Sequence, residues 1–341
     1  MNYRVLALAF TVLIGCKMSD QKATENNETS ENRLGSIERT DPALDELVGK
    51  DVVIEIIGEG YEWSEGPVWV PQHKMLLFSD VPKNIVYKWT EEKGVEEYLT
   101  PSGYMGEGQY SREPGSNGLA LSKDGKLILC QHGDRRVAAM EAPLSDPKPV
   151  FSTLADKHDG KRLNSPNDVV VHSSGELFFT DPPYGLPNQA EDPTKETPYH
   201  GVYKISSNGD VILLVDSLTR PNGIAFLAGE RSLIVANSDP GKAMWYVFDL
   251  DGDNAVNARV FYDATPNFRN GEKGLPDGVR VDSKGNVFAT GPGGIWIFDG
   301  NGKVLGRIRL NGPAANCALS DDEKTLFVTA DMHLLRVKLR D

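Results

Sequence analysis

The sequence is short of positive charge and of the motifs that mark several common enzyme classes. Its 341 residues hold 36 Lys and Arg against 49 Asp and Glu, which gives a net charge of −13 and a pI near 5.0. That balance argues against nucleic acid or an anionic membrane surface as a partner, and it suits cation binding. No Gly-x-Ser-x-Gly segment and no phosphate-binding glycine-rich loop is present, so the signatures of serine hydrolases and nucleotide-binding proteins are missing.

Long hydrophobic runs are also scarce, and the clearest one lies at the N-terminus. Residues 5–14 are apolar, follow Arg4 and are too few to span a bilayer as a helix. The run ends in Leu13-Ile14-Gly15-Cys16, which resembles a bacterial lipobox. We therefore predict a lipoprotein signal peptide over residues 1–16, lipidation of Cys16 and anchoring in the cell envelope. Lys17 favours the outer membrane, facing the periplasm. An ordinary signal peptide with an incidental cysteine is the alternative.

Large apolar side chains are rare in residues 17–50, which are rich in Glu, Asn, Ser and Thr. Such a segment cannot bury enough apolar surface to offset the entropy lost on ordering. We therefore expect a flexible polar tether over residues 17–50 and a folded domain over residues 51–341.

One phrase recurs six times through the folded domain. Each copy opens with a carboxylate or carboxamide residue, which we call its opener, and continues as an apolar strand, a short turn and a second apolar strand. The six openers are Glu65, Asn117, Asn167, Asn222, Asp277 and Asn316. Strand units that repeat roughly every 50 residues indicate a propeller, so six copies predict an all-β fold of six blades.

The count of strands predicts how the ring closes. The sixth copy ends after its third strand, and a spare strand over residues 52–58 precedes the first copy. We expect this N-terminal strand to complete the last blade, because closure removes the exposed sheet edge that would otherwise remain. Cys130 and Cys317 fall in the second and sixth copies, which are not neighbours in such a ring, so we predict no disulfide between them.

Three longer loops interrupt the repeat, over residues 101–116, 182–200 and 264–275. They are rich in Gly, Pro, Asn and Asp. Loops of this length inside a compact domain are more often functional than incidental, so we expect them near a binding site.

The openers predict a cation site. The first strand of each propeller blade lines the central channel, so the six openers approach one mouth of that channel, and each can offer oxygen. A set of oxygen ligands with two carboxylates suits Ca²⁺ first, then Mg²⁺ or Mn²⁺. The absence of His and Cys at these positions disfavours a dedicated Zn²⁺ cage. The alternative is that Asn and Asp before Gly serve only tight turns.

Several phrases together resemble one family. They are Glu65-Gly66-Pro67-Val68-Trp69, Ser116-Asn117-Gly118-Leu119, Asn164-Ser165-Pro166-Asn167-Asp168, Thr180-Asp181-Pro182-Pro183-Tyr184-Gly185, Arg220-Pro221-Asn222-Gly223 and Pro276-Asp277-Gly278. With these, residues 51–341 resemble the gluconolactonase / senescence marker protein (regucalcin) family of six-bladed calcium-dependent lactonases, the bacterial gluconolactonase branch in particular.

The resemblance implies an activity and a set of ligands. It implies hydrolysis of a sugar lactone such as glucono-1,5-lactone, with Ca²⁺ as the cation and Mg²⁺, Mn²⁺ or Zn²⁺ as substitutes. The family's metal ligands match Glu65, Asn167, Asn222 and Asp277, and its proposed general base also matches Asp277. A carboxylate bound to a dication is a weakened base, which is a tension within this assignment.

The resemblance says less about which residues contact the substrate. The vertebrate branch has an Arg two residues before the position of Asn167, where this sequence has Ser165. We predict that His132, Arg135 or Tyr184 contacts the substrate instead; the alternatives are ordinary ion pairing for Arg135 and bracing of a loop for Tyr184. His132 is a second candidate acid or base, or an orienting group. The amides of Asn117 and Asn167 are candidate donors to the reacting carbonyl.

Two further functions remain open at this stage. One is a related hydrolase on the same scaffold that acts on other lactones or on phosphotriesters. The other is a non-enzymatic periplasmic propeller that binds a protein or a sugar, although a binding module has no need of a cation between the Glu65 and Asp277 carboxylates. Fold alone does not decide between these functions. The sequence does not define an oligomeric state.

Overall fold

A computed structural model describes residues 34–339. Within this range the regular structure is almost entirely antiparallel β-sheet, arranged as six sheets of four or five strands and one short hairpin. This arrangement confirms the all-β, six-bladed propeller predicted from the repeat.

Two N-terminal strands precede the blades, β1 over Gly35–Arg39 and β2 over Ile54–Glu59. Blade 1 contains β3 Ser64–Val70, β4 Met75–Asp80, β5 Ile85–Thr90 and β6 Gly94–Leu99. Blade 2 contains β7 Ser116–Leu121, β8 Leu127–Gln131, β9 Arg136–Met140 and β10 Phe151–Ala155. A small hairpin follows, with β11 Lys157–His158 and β12 Lys161–Arg162. Blade 3 contains β13 Val169–Val171, β14 Leu177–Asp181, β15 Gly201–Ile205 and β16 Val211–Val215.

Blade 4 contains the longest strands, β17 Pro221–Phe226, β18 Ser232–Asp239, β19 Lys242–Asp251 and β20 Asn254–Asp263. Blade 5 contains β21 Val279–Val281, β22 Val287–Gly291, β23 Gly294–Phe298 and β24 Val304–Leu310. Blade 6 contains β25 Asn316–Leu319, β26 Thr325–Ala330 and β27 His333–Lys338. One short α-helix, α1, spans Thr265–Arg269, and 3₁₀ turns span Pro42–Glu46, Pro71–His73 and Gln189–Glu191.

The first strands of the six blades form a closed ring. β3 contacts β7, β7 contacts β13, β13 contacts β17, β17 contacts β21, β21 contacts β25, and β25 returns to β3. These strands therefore surround a central channel, and the start of each one lies at the same mouth of it.

Hydrophobic packing between neighbouring blades holds the ring together. Each of the six interfaces has its own cluster of buried apolar side chains. At the junction of blades 6 and 1, for example, Trp69 stacks on Phe327 with ring centroids 5.4 Å apart. Because each blade is covered on both faces, its second strand is buried along its length and mostly apolar, as β4 and β14 illustrate.

The predicted closure by an N-terminal strand is confirmed. β2 pairs antiparallel with β27, with Ile54 opposite Val337 and Ile56 opposite Leu335. Blade 6 thus contains β2 from the N-terminal part of the chain and the last three described strands. The closure joins the two ends of the propeller and pairs the edge of β27 that would otherwise be free.

The boundary of the predicted tether is wrong, because residues 34–50 are part of the fold. β1 pairs with β24 as a fifth strand of blade 5, and Leu44 and Val48 are fully buried beside it. Arg39 fixes the returning chain by donating to Asp45 and to the carbonyls of Val48 and Gly49. The scattered apolar residues of this stretch were enough to add one strand to an existing sheet. The predicted signal peptide, Cys16 and tether residues 17–33 lie outside the described residues.

The remaining cysteines agree with the prediction. Cys130 and Cys317 are both buried and free, in strands of blades 2 and 6.

In the part of the chain that the structure describes, no helix has the length and apolar character needed to cross a membrane.

Leu44 provides a test of the corrected boundary. Its side chain is fully buried within the cluster between blades 5 and 6, so we expect Leu44→Ala to lower the free energy of unfolding by about 2–5 kcal/mol. Denaturant unfolding of the purified protein measures this, with Glu46→Ala, at an exposed position of the same 3₁₀ turn, as the control. Equal stability of the two variants would mean that residues 34–50 do not pack on the propeller.

Candidate active site at the mouth of the channel

A cavity of about 330 Å³ lies at the mouth where the first strands begin. Five of the six openers line it, namely Glu65, Asn117, Asn167, Asn222 and Asp277. The sixth, Asn316, is buried behind the others, and its Oδ1 accepts a hydrogen bond from the amide of Cys317 at 2.8 Å. The prediction that all six openers converge therefore holds for five, and the four predicted metal ligands are all among them.

Register shifts turn several openers toward the cavity. In blades 1, 2 and 4 the pairing between the first and second strands shifts within the first residues of the inner strand, at Glu65/Val68, Ser116/Leu119 and Pro221/Ile224. A bulge of this kind bends the strand and redirects a side chain, and bulges are common beside functional sites. The opener therefore projects into the channel mouth while the residues after it return to the regular ladder.

Close approach of consecutive blades requires the glycine that follows an opener. A Cβ atom added at Gly66 would lie 1.9 Å from the carbonyl oxygen of Asn117, and one at Gly223 would lie 2.1 Å from that of Asp277. No side chain can be tolerated at such distances. The repeated opener-Gly pair is therefore a packing requirement as well as a turn, because it lets the next opener approach the one before it.

Hydroxyl groups at the ends of second strands reinforce this approach. The Oγ atoms of Ser79, Thr180 and Thr290 donate to main-chain carbonyls at the start of the next blade, those of Asn117 (2.8 Å), Asn222 (2.7 Å) and Ala315 (2.7 Å). These hydrogen bonds fix the main chain under the openers, so the spacing of the cavity walls is set by the fold.

A hydrogen-bond relay orients Asn222. Its Nδ2 donates to Ser238 Oγ at 3.1 Å, and Ser238 Oγ in turn donates to the carbonyl of Pro276. With its amino group committed in this way, Asn222 presents Oδ1 to the cavity. Ser238 thus ties the opener of blade 4 to the residue immediately before Asp277.

Several oxygens in the cavity have no partner. Oδ1 of Asn117, Oδ1 of Asn167 and Oδ1 of Asp277 are buried and accept no hydrogen bond from the described residues. Leaving buried polar atoms unsatisfied costs about 1–3 kcal/mol each, so they mark a place where a ligand supplies the missing interaction. With the carboxylate of Glu65, which accepts from Gly66 N at 2.8 Å, they form an oxygen-only set suited to a hard cation.

The carboxyl groups of the cavity resist ionisation without a cation. Burial raises the pKa of Glu65 to about 8, although hydrogen bonds from the Gly66 amide and the Asn316 side chain oppose the rise. Burial and the charge of Glu65 raise the pKa of Asp277 well above its ordinary value. Asp168, buried close by, adds to both effects through its own charge. A divalent cation would reverse these shifts, because it favours the ionised carboxylates.

The three long loops all contribute to the cavity, as predicted. Glu113 comes from the first loop, Tyr184 from the second, and Phe268, Gly274 and Leu275 from the third. Tyr184 therefore lies where the sequence placed it, and burial raises the pKa of its phenol.

An ion-pair network supports the third loop from outside. Glu272 in this loop pairs with Arg307 at 2.8 Å and with Arg309 at 2.9 Å, and both arginines also contact Glu38 of β1. The N-terminal strand thus braces a wall of the cavity.

His132 and Arg135 are not among the residues that line the cavity, so their proposed contacts with a substrate stay predictions. The main chain of Gly185 packs directly against the buried side chain of His132, and burial lowers the pKa of this imidazole to about 4. Arg135 is also buried, and its Nε donates to the carbonyls of Leu163 and Asn164 at 2.8 and 3.0 Å. Both ring nitrogens of His132 and Nη2 of Arg135 have no hydrogen-bond partner among the described residues.

Sequence reasoning also missed several cavity residues. Glu113 faces the cavity, and burial raises its pKa to about 7 despite the opposing charge of Arg112. Arg220 lies two residues before the opener Asn222, inside one of the phrases that carry the family resemblance. Its position within that phrase was a usable signal, whereas nothing in the sequence distinguishes Glu113 from other loop carboxylates. Trp63 and Ser238 are likewise on the wall.

Among residues 34–339, no cluster of three or more His, Cys, Asp or Glu could hold a metal ion. The cavity differs from such clusters because carboxamide oxygens, and not only acidic side chains, make up its donors.

Comparison of this chain with known proteins identifies its relatives. A family model described as "SMP-30/Gluconolactonase/LRE-like region" matches residues 63–331. The chain is 40% identical over 329 residues to a gluconolactonase from Zymomonas mobilis, covering 94% of this chain and 90% of that protein. A solved structure of a gluconolactonase from Xanthomonas campestris has a TM-score of 0.76 at 29% identity, covering 89% of this chain and 95% of that one.

A more distant structure shares the fold. The calcium-binding protein regucalcin from Agrobacterium tumefaciens has a TM-score of 0.64 at 19% identity, covering 83% of this chain and 93% of that one. Because the family model spans all five openers that line the cavity, and the match to the Zymomonas protein covers nearly the whole chain, this protein belongs to the SMP-30/gluconolactonase/LRE-like family.

Proposed function

We propose that this member of a lactonase family is a metal-dependent hydrolase that opens sugar lactones, such as glucono-1,5-lactone, to the aldonic acid. The gluconolactonase relatives support the reaction and the substrate class. The observation that carries the metal dependence is the cavity, where Glu65, Asn167, Asn222 and Asp277 come from four different blades and face one space.

The donor set fits a hard divalent cation, Ca²⁺ first. Glu65 and Asp277 supply negative charge, and Asn167 and Asn222 supply neutral amide oxygens, which is the kind of mixture Ca²⁺ accepts. The Oδ1 atoms of Asn167 and Asp277 support this assignment, because neither accepts a hydrogen bond from a described residue. When bound, the cation would supply Lewis acidity toward the lactone carbonyl.

The protein's own groups supply the rest of the reaction. Asp277 is the residue we assign to accept a proton from the attacking water, since its Oδ1 lines the cavity without a partner among the described residues. The same carboxyl group is assigned to return that proton to the ring oxygen as the ring C–O bond breaks. The amide of Asn117, on the same wall, is assigned to interact with the carbonyl oxygen as negative charge develops on it. Phe268 and Leu275 form an apolar part of the wall that limits the entry of bulk water.

The role of Asp277 can be tested directly. We expect Asp277→Asn to lower kcat for glucono-1,5-lactone by about 100-fold or more, because a carboxamide cannot accept the proton. The measurement is steady-state hydrolysis followed by acid release, with Asp216→Asn, at an exposed position, as the matched control. Turnover by Asp277→Asn at the rate of the control would contradict the assignment.

Cation binding is expected to depend on pH. In the cation-free protein Glu65 has a pKa near 8, so the stability that it contributes is fully present below its unfolded value of 4.5 and is lost as pH rises toward 8. Protons and the cation compete for the same oxygens, so affinity for Ca²⁺ should increase over that window. We therefore expect the increase in Tm produced by Ca²⁺ to be larger at pH 8 than at pH 6.

Thermal unfolding with Ca²⁺ or with a chelator, across that pH range, checks this expectation. Glu65→Gln removes the titrating carboxyl and should weaken Ca²⁺ binding and flatten its dependence on pH. An equal effect of Ca²⁺ at every pH in the unmodified protein, or no effect at all, would count against a cation held by this carboxylate pair.

We also propose that the protein is lipid-anchored through Cys16 and held in the cell envelope, at the outer membrane facing the periplasm. The support is the segment Leu13-Ile14-Gly15-Cys16. Cys16→Ser should move the protein from the membrane fraction to a soluble fraction in a bacterial host, which fractionation and immunoblotting would measure. Recovery of both forms in the membrane fraction would refute the anchor.

A further inference from the structure

One side chain on the cavity wall has no role in the reaction described above. Among the described residues that line the cavity, Arg220 is the only Lys, Arg or His, and it shares the wall with the carboxyl groups of Glu65, Glu113 and Asp277. Its guanidinium forms no ion pair and no hydrogen bond with any described residue. An arginine that is partly buried and unpaired, beside carboxyl groups that do not approach it, is available to a ligand.

The main chain of Arg220 is held firmly in place. Its amide donates to Asn237 Oδ1 at 2.9 Å, and its carbonyl accepts from Ser238 N at 2.9 Å. Pro221 follows and begins β17, whose second residue is the opener Asn222. The guanidinium therefore has a fixed origin relative to the proposed cation site, and only its own side-chain torsions are free.

Arg220 shares the cavity wall with Tyr184. Burial raises the pKa of the Tyr184 phenol, and the positive charge of Arg220 opposes that rise. Together the two residues offer the cavity a planar set of N–H donors and a phenol ring. Hydroxyl groups on adjacent carbons of a sugar match the fork of donors on a guanidinium, and an aromatic ring covers the apolar face of a sugar.

We propose that Arg220, with Tyr184 beside it, binds the hydroxyl groups of the lactone and makes the enzyme selective for polyhydroxylated lactones over unsubstituted ones. This inference rests on the proposed function, because it names the part of the substrate that this wall holds while the carbonyl lies at the openers. Arg220 is then a specificity residue that contributes to binding, and the hydrolytic step itself does not require it.

The test compares two lactones with the same six-membered ring, one that carries hydroxyl and hydroxymethyl groups and one that carries neither. We expect Arg220→Met to raise the KM for glucono-1,5-lactone by about tenfold or more, because the lost hydrogen bonds involve a charged donor. For δ-valerolactone, which has no hydroxyl groups, kcat/KM should change by less than about threefold, since the variant leaves the openers in place. Arg220→Lys keeps the positive charge but loses the paired N–H donors of the guanidinium. Its KM for glucono-1,5-lactone should therefore lie between those of the unmodified protein and Arg220→Met.

A binding measurement separates this inference from the proposed activity. Gluconolactam and δ-valerolactam are ring amides that resist hydrolysis, and isothermal titration gives their affinity without turnover. Arg220→Met should weaken gluconolactam about tenfold and leave δ-valerolactam unchanged, while the increase in Tm caused by Ca²⁺ is kept. Arg231→Met, at an exposed arginine outside the cavity, is the matched control.

The outcomes are distinguishable. Equal losses for both lactones and both lactams would show a general disturbance of the cavity and overturn the inference. Unchanged binding of gluconolactam and unchanged KM for glucono-1,5-lactone would also overturn it, because Arg220 would then not touch the hydroxyl groups. If the unmodified protein hydrolyses neither lactone but loses gluconolactam binding in Arg220→Met, the proposed activity fails and the binding role of Arg220 stands.

Discussion

The structure depends on how closely consecutive blades approach at the channel mouth. A glycine after an opener, such as Gly66, leaves room for the next opener's carbonyl, and a hydroxyl such as Ser79 Oγ donates a hydrogen bond to that same carbonyl from the neighbouring second strand. These contacts are made by the main chain of the opener, so they hold whatever side chain the opener carries. The fold therefore fixes five polar side chains around one small cavity. The side chains at these positions can differ without changing the ring of strands.

That placement is unfavourable for folding, and the rest of the propeller compensates for it. Three carboxyl groups with raised pKa values lie together in the cavity with three oxygens that have no partner among the described residues. Stability must come from elsewhere, namely the six hydrophobic interfaces and the closure of blade 6 by β2. The hydrophobic packing of the propeller therefore holds together polar groups whose burial is unfavourable. A bound cation would offset that unfavourable energy.

The repeat made the ring and its closure predictable, because strand alternation and turn chemistry are local properties of sequence. It also located the five openers that line the cavity, since each opener has the same place in its copy. The N-terminal boundary was not predictable from composition: β1 and Leu44 are stabilised by the edge of β24, a partner about 270 residues away in the sequence. His132 and Arg135 have the chemistry of site residues, yet they are not among the residues that line the cavity. The role proposed for Arg220 came from the structure instead, in which this residue lines the cavity and its guanidinium has no ion-pair partner among the described residues.

The most direct test of the central claim is a crystal structure of the protein grown with Ca²⁺, with anomalous scattering data to identify the ion. The account predicts a single ion at the channel mouth, bonded to oxygens of Glu65, Asn167, Asn222 and Asp277 at about 2.3–2.6 Å. An ion bound elsewhere, or a channel mouth in which these four side chains hold no cation while the crystals hydrolyse lactone, would contradict it.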